Sequence, residues 1–221
     1  MKLRPILLLL FCLATIALVG WIYYGVTRPA LKTAMAPSEE VLHDLDECCR
    51  RKYVKAMQYA CYAEVAERER ECRAAALFRA MAHSERVQEE RGASIIGRLG
   101  GRYRPPRRIM IFRGTTAGNL RRSLASERRS ADSVQLERID RHVRLGNRLC
   151  AEVLIWAAAA DMRHRMLLEN CRPGSDTEPV RYDVCPHCGN LYESAACDCY
   201  CPHCLTDSRR FVRFPLREPS Y

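Results

Sequence analysis

Cys185-Pro-His-Cys-Gly-Asn-Leu-Tyr-Glu-Ser-Ala-Ala-Cys-Asp-Cys-Tyr-Cys-Pro-His-Cys204 gathers six cysteines into a short stretch near the end of the chain. Cys185 and Cys188 form one Cys-x-x-Cys pair, and Cys201 and Cys204 form a second after a gap of twelve residues. Each pair can wrap its thiolates around one side of a tetrahedron, so two such knuckles supply four sulfur ligands for zinc or iron. Disulfides or unrelated thiols are the competing reading, although a disulfide within either pair would close a very small ring. His187 and His203 sit inside the knuckles and are expected to face solvent, because four cysteines already fill the shell. Cys197 and Cys199 are surplus to a tetrahedral site. Spacing alone leaves them free, paired with each other or available as alternative ligands.

Outward from this cluster, 221 residues are enough for one mid-sized core and a small metal-stapled module. A hydrophobic content of 48% excludes a chain disordered throughout. The net charge of +10 raises the question of nucleic acid or anionic lipid. Arginines are spread along the whole chain and aromatic residues are few, so the expectation is a solvated basic surface and no nucleic-acid partner. Thirteen cysteines leave at least one unpaired. Cys12 lies in an apolar leader, and Cys48, Cys49, Cys61, Cys72, Cys150 and Cys171 lie in or beside helical stretches, where burial as small hydrophobes is expected.

The first thirty residues differ in character. Ile6 to Val26 carries no charge and is long enough to cross a bilayer, with Lys2 and Arg4 before it and Trp21, Tyr23 and Tyr24 near its far end. The segment reads as an uncleaved N-terminal membrane anchor over residues 6–26. The rival is a cleavable export signal with a small-residue site at Ala34-Met35-Ala36. Basic residues flank both ends, and the positive-inside rule weakly places the soluble body on the outer, exocytoplasmic face.

From Pro37-Ser38-Glu39-Glu40 onward a serine cap, an acidic first turn and apolar residues at three- and four-residue steps predict a helix. The pattern runs to about Arg91 without glycine or proline, which predicts a hidden turn near Glu67-Arg-Glu-Arg-Glu-Cys-Arg73. Gly92 to Gly114 reads as a long crossover with one extended segment at Ile109-Met-Ile-Phe112. Thr115-Thr-Ala-Gly-Asn-Leu120 caps a third helix, Gly146-Asn147 leads into a fourth that runs to about Asn170, and Arg172-Pro-Gly-Ser-Asp176 is a linker. The expected domains are a membrane anchor or signal over 1–30, a four-helix domain over 37–172 and a four-cysteine metal domain over 180–221.

A four-helix bundle with a long middle crossover and a C-terminal four-cysteine module of this spacing resembles the rubrerythrin family over about residues 40 to 214. Three stretches carry the resemblance: Thr115-Thr-Ala-Gly-Asn-Leu120 with Ala125-Ser126-Glu127; Asp161-Met-Arg-His164 with Leu167-Leu-Glu-Asn170; and the knuckle pairs followed by Phe211-Val-Arg-Phe214. The implied fold is mainly α: a ferritin-like four-helix bundle, a small rubredoxin-like or zinc-ribbon β module and, from the apolar leader, an N-terminal transmembrane helix. The resemblance implies two irons in the bundle and a third among the cysteines, with the cysteine-bound iron feeding electrons to the pair in peroxide reduction. Helices suit such sites because a carboxylate and a histidine three residues apart share one face, and four such faces converge on the bundle axis.

Matched to that pattern, Glu85 and Asp161 stand at the bridging carboxylates, Glu127 at the third-helix glutamate and His164 at the fourth-helix histidine. The second-helix histidine has become Gln88, a further glutamate falls on Ser130, and the first-helix glutamate falls on Lys52. Glu47 and Glu64 are the nearest acidic alternatives there, both out of register. The losses all fall on one iron, so the expectation is one iron or other divalent metal in the bundle, or none, held by Glu85, Glu127, Asp161 and His164. An ammonium at Lys52 would replace the charge of the absent metal. Cys185, Cys188, Cys201 and Cys204 are expected to hold iron, with zinc as the rival. The function implied is an iron-binding, electron-transferring redox protein linked to peroxide defence, with a redox partner protein and a homodimer among its expected associations. The alternative is a non-catalytic, membrane-anchored scaffold with a structural zinc.

Overall fold

The computed structural model describes residues 15–18, 39–130, 133–174 and 180–215. The chain divides into two compact units, Met1–Pro37 and Ser38–Tyr221. The expected anchor over residues 6–26 stands corrected, together with the outer-face placement that depended on it. Among the described residues no helix is long and apolar enough to cross a membrane. Of that segment only 15–18 is described, as helix. The rest of the segment, the alternative cleavage site at 34–36 and the Ser38 cap lie outside the described residues.

Helix α1 spans Glu39–Arg68 and opens with Glu39 and Glu40 in its first turn, where carboxylates oppose the helix dipole. It ends inside the Glu-Arg repeat, as the sequence predicts. Arg70 takes a left-handed φ of 60° and the Glu71 amide donates back to the Ala66 carbonyl at 2.9 Å. Helix α2 then spans Cys72–Arg98. It runs through Gly92, where the sequence placed the start of the crossover. A Cβ at Gly92 would lie 2.4 Å from Cys49 Sγ, so this glycine serves close packing of α1 against α2 and does not end a helix.

The crossover therefore begins after Arg98 and contains no regular strand. Its Phe112 is clasped by Gln58, whose amide donates to the Phe112 carbonyl at 2.7 Å and accepts from its N–H at 2.9 Å. The third helix expected from Thr115 is described in two stretches, α3 at Thr116–Ser130 and α4 at Ser133–Arg144. Helix α5 spans Arg148–Asn170 and completes the bundle.

Strands β1 (Tyr182–Val184), β2 (Leu191–Glu193) and β3 (Val212–Phe214) form an antiparallel sheet in the order β2-β1-β3. Tyr182, Val184 and Leu191 share one apolar cluster with Tyr59, Phe78, Met81 and Leu167 of the bundle, which seats the sheet against the helices. A second apolar cluster contains Leu45, Ile95, Ile96, Val153 and Leu154. The bundle thus has two apolar regions, and the charged residues considered below belong to neither.

Gly189, in the first knuckle, fixes how closely the module approaches α2. It has a φ of +74°, and a Cβ there would lie 2.7 Å from the Ser84 carbonyl oxygen and 2.9 Å from Gln88 Cγ. Gly146 shares the conformation, with φ of +72°, but a Cβ there would meet nothing within 4 Å. Gly146→Ala should therefore show only the left-handed backbone cost of about 1–2 kcal/mol. Gly189→Ala should add an overpacking cost of about 1–3 kcal/mol. Denaturant unfolding of the two variants reads the difference, and equal losses would show that the contact with α2 contributes nothing.

Candidate metal centres

The two knuckles fold alike. The Gly189 amide donates to the Cys185 carbonyl at 3.0 Å, and the Leu205 amide donates to the Cys201 carbonyl at 2.8 Å. Leu205 adopts the left-handed φ of 58° that Gly189 adopts at +74°, so a leucine has been fitted to a glycine position. Cys185 Sγ lies 3.4 Å from Cys204 Sγ, and Cys188 Sγ lies 3.5 Å from Cys201 Sγ. All four sulfurs are within 4.8 Å of one another, and none is in a disulfide. A tetrahedral ion with metal–sulfur bonds of about 2.3 Å requires sulfur–sulfur edges of about 3.8 Å, inside that range. The donor set fits zinc or iron.

Two hydroxyl groups lie beside the sulfurs. Tyr192 Oη lies 3.3 Å from Cys201 Sγ and Thr206 Oγ1 lies 3.1 Å from Cys204 Sγ. Hydrogen bonds from the Cys185 and Cys188 thiols hold the Cys201 thiol below its ordinary pKa. His187 and His203 are exposed, as expected, and neither joins the cluster. His187 instead packs edge-on against Trp156 of α5, with ring centroids 5.5 Å apart, and the Arg91 guanidinium of α2 lies 4.2 Å from the Trp156 ring centre. Cys197 and Cys199 lie outside the four-sulfur group. Cys48, Cys49, Cys61, Cys150 and Cys171 are buried, and Cys72 is half-buried.

The second group is in the bundle. Glu85 from α2, Glu127 from α3 and Asp161 and His164 from α5 are all buried, with one ligand atom of each within 4.8 Å of the others. Helix α1 contributes no carboxylate. It places two ammonium groups among the acids: Lys52 Nζ lies 2.6 Å from Asp161 Oδ1 and 3.0 Å from Glu85 Oε2. Lys55 Nζ lies 2.7 Å from Glu127 Oε2 and 3.0 Å from Asp161 Oδ1. Tyr59 donates a hydrogen bond to Glu127 Oε1. Arg51 adds a third cation whose field acts on Asp161 and Glu85.

Three cations of one helix thus oppose three carboxylates of the other helices. Burial works against ionising Asp161 and Glu85, but the Lys52 and Lys55 ammoniums overcome it and hold both carboxyls below their ordinary pKa. The same pairs, against the same burial, hold both lysines above theirs. Glu127 is raised, because its burial outweighs the attraction of Lys55.

His164 is held from the other side. Ser84 Oγ donates to the Gly189 carbonyl at 2.5 Å, which commits its only proton. His164 Nε2, 2.9 Å from Ser84 Oγ, must then be the donor to it. Nδ1 is turned toward the acids, 3.3 Å from Glu85 Oε1 and 3.9 Å from Glu127 Oε1. Three carboxylates and an imidazole are a donor set acceptable to iron, manganese or zinc. With two ammonium groups lodged among them, the residues present do not fit a pair of metal ions.

The other anticipated positions lie elsewhere. Gln88 is buried and donates to Ser84 Oγ at 3.3 Å. Glu47 pairs with Arg138 at 2.8 Å, and Glu64 is exposed. Ser130 ends α3, and its side chain lies outside the described residues. Arg51, Lys55, Tyr59 and Ser84 were not anticipated. Lys52, Lys55 and Tyr59 recur at three- and four-residue steps, so the period of α1 carried a signal for the last two.

Lys52→Met should leave Asp161 and Glu85 short of a partner and cost about 3–5 kcal/mol of stability. Adding Asp161→Asn to that variant should restore part of the loss, because the uncompensated charge goes with it. Denaturant unfolding of the single and double variants checks both, and a double variant no more stable than Lys52→Met would show that charge balance is not what the lysine provides.

No protein-family model matches the chain, and no curated protein matches it. Solved structures do. Nigerythrin in its fully reduced, all-ferrous state superposes with a TM-score of 0.71 at 18% identity, covering 79% of this chain and 86% of that one. Its mixed-valence state gives 0.69 at 19% identity, and its partially reduced state gives 0.71 at 18%, each over the same shares of the two chains. The resemblance read from the sequence is matched in three dimensions: this chain has the fold of nigerythrin, a protein of the rubrerythrin family.

Proposed function

We propose that this chain is an iron-binding electron-transfer protein of rubrerythrin fold, with its metal at Cys185, Cys188, Cys201 and Cys204 and a bundle that operates without metal. The observation that carries the proposal is the pair of ammonium groups, Lys52 and Lys55, seated among Glu85, Glu127 and Asp161. Buried carboxylates need cations, and the two lysines of α1 are shared among all three. The expectation of one metal or none in the bundle is taken here as none, and peroxide chemistry at a metal pair is not proposed.

Iron held by four thiolates would gain and lose a single electron at this site. The protein's part is to bury three of the four sulfurs, set hydroxyl groups near Cys201 and Cys204, and leave Cys204 partly open to solvent, where a redox partner protein can approach. That the nigerythrin structures are described by their reduction states supports iron over zinc, the fold being shared.

Metal analysis and a visible spectrum of the full chain, produced with iron supplied, test the proposal. The expected result is one iron per chain and the red colour of a ferric tetrathiolate, lost in Cys188→Ser and unchanged in His164→Ala. A second metal that disappears in His164→Ala would overturn the metal-free bundle. Colourless protein with zinc would overturn the redox role and make the knuckles a structural staple.

A further inference from the structure

A cavity of about 720 Å³, open to solvent, lies between α1, α3, α4 and α5, apart from the four-cysteine site. Lys55 lines it, the less enclosed of the two bundle lysines, with its side chain 9% exposed where that of Lys52 is 0%. Arg51 and Arg129 line it as well, and Val54 and Leu154 give it apolar wall.

Two buried donors on this cavity have no hydrogen-bond partner among the described residues: Arg51 Nε and Gln135 Nε2. The Gln135 residue is 7% exposed, and its amide oxygen already accepts from Arg51 at 3.2 Å, which fixes the orientation of both side chains. The carboxylates in the same wall do not supply the missing acceptor. Asp44 is engaged by His142 at 2.8 Å and Arg141 at 3.0 Å, and Glu47 by Arg138 at 2.8 Å. A cavity with cationic groups, two unsatisfied buried donors, internally engaged acids and apolar walls is complementary to a molecule that brings its own acceptors and a negative charge.

We infer that this cavity binds a small organic anion, its carboxylate, sulfonate or phosphate group against Arg51, Arg129 and Gln135 and its apolar body along Val54 and Leu154. The site is independent of the metal at the knuckles. The probe is 8-anilinonaphthalene-1-sulfonate, titrated into the full chain and followed by fluorescence, with octanoate as competitor. One saturable site is expected, displaced by octanoate and weakened at least tenfold by Arg129→Glu and by Gln135→Leu in proteins whose melting temperatures match the parent. Arg129 is exposed, so its replacement leaves the packing intact. Dye binding that is unchanged in both variants, or that octanoate does not displace, would overturn the inference and place the dye on exposed apolar surface such as Met162 and Met166 of α5.

Discussion

Opposite charges held at hydrogen-bond distance in the buried interior are the constraint around which this bundle is arranged. An isolated ion in such a place would cost several kcal/mol. Each of Glu85, Glu127 and Asp161 comes from a helix other than α1, and the cations come from α1 alone. The ion pairs therefore tie α1 to α2, α3 and α5 at one level of the bundle. Sliding α1 along its axis by one residue would turn Lys52 and Lys55 out of reach of the acids. The apolar clusters supply the larger part of the burial, but apolar packing tolerates shifts that ion pairing does not.

A metal pair and a pair of ammonium groups solve the same electrostatic problem in different ways. Metal ions accept several donors each and can change oxidation state. Ammonium groups accept only as many carboxylates as they have protons to give, and they are tethered to the chain by their own side chains. In the function proposed above, the second takes the place of the first beside the same acids and histidine.

The fold was legible in the sequence because its signals are periodic or categorical. The turn in the Glu-Arg repeat, the end of α5 near Asn170 and the two Cys-x-x-Cys knuckles were each marked by residues that do little else. Gly92 misled, because a glycine read as punctuation was serving close helix contact, a role set by Cys49 on another helix. At the bundle site Lys52 was recognised as a replacement for a ligand. Lys55 was not, because no alignment position asked for it and only its place on the same face of α1 brings it in. Ser84 was invisible for a related reason: its role depends on a carbonyl from residue 189. The membrane anchor rested on apolar length with its basic and aromatic flanks, and among the described residues no helix is long and apolar enough to cross a membrane.

That carbonyl has a consequence inside the bundle. The Gly189 carbonyl accepts a hydrogen bond from Ser84, Ser84 accepts one from His164 Nε2, and the imidazole is thereby turned with Nδ1 toward the acids. The face that His164 shows to the interior is decided by a loop outside the bundle, one residue beyond a cysteine of the metal knuckle. The Gly189 amide is itself tied to the Cys185 carbonyl at 3.0 Å, so the knuckle's own turn fixes where that carbonyl sits. A displacement of that loop would therefore be felt inside the bundle, carried through two hydrogen bonds to the one imidazole among the acids.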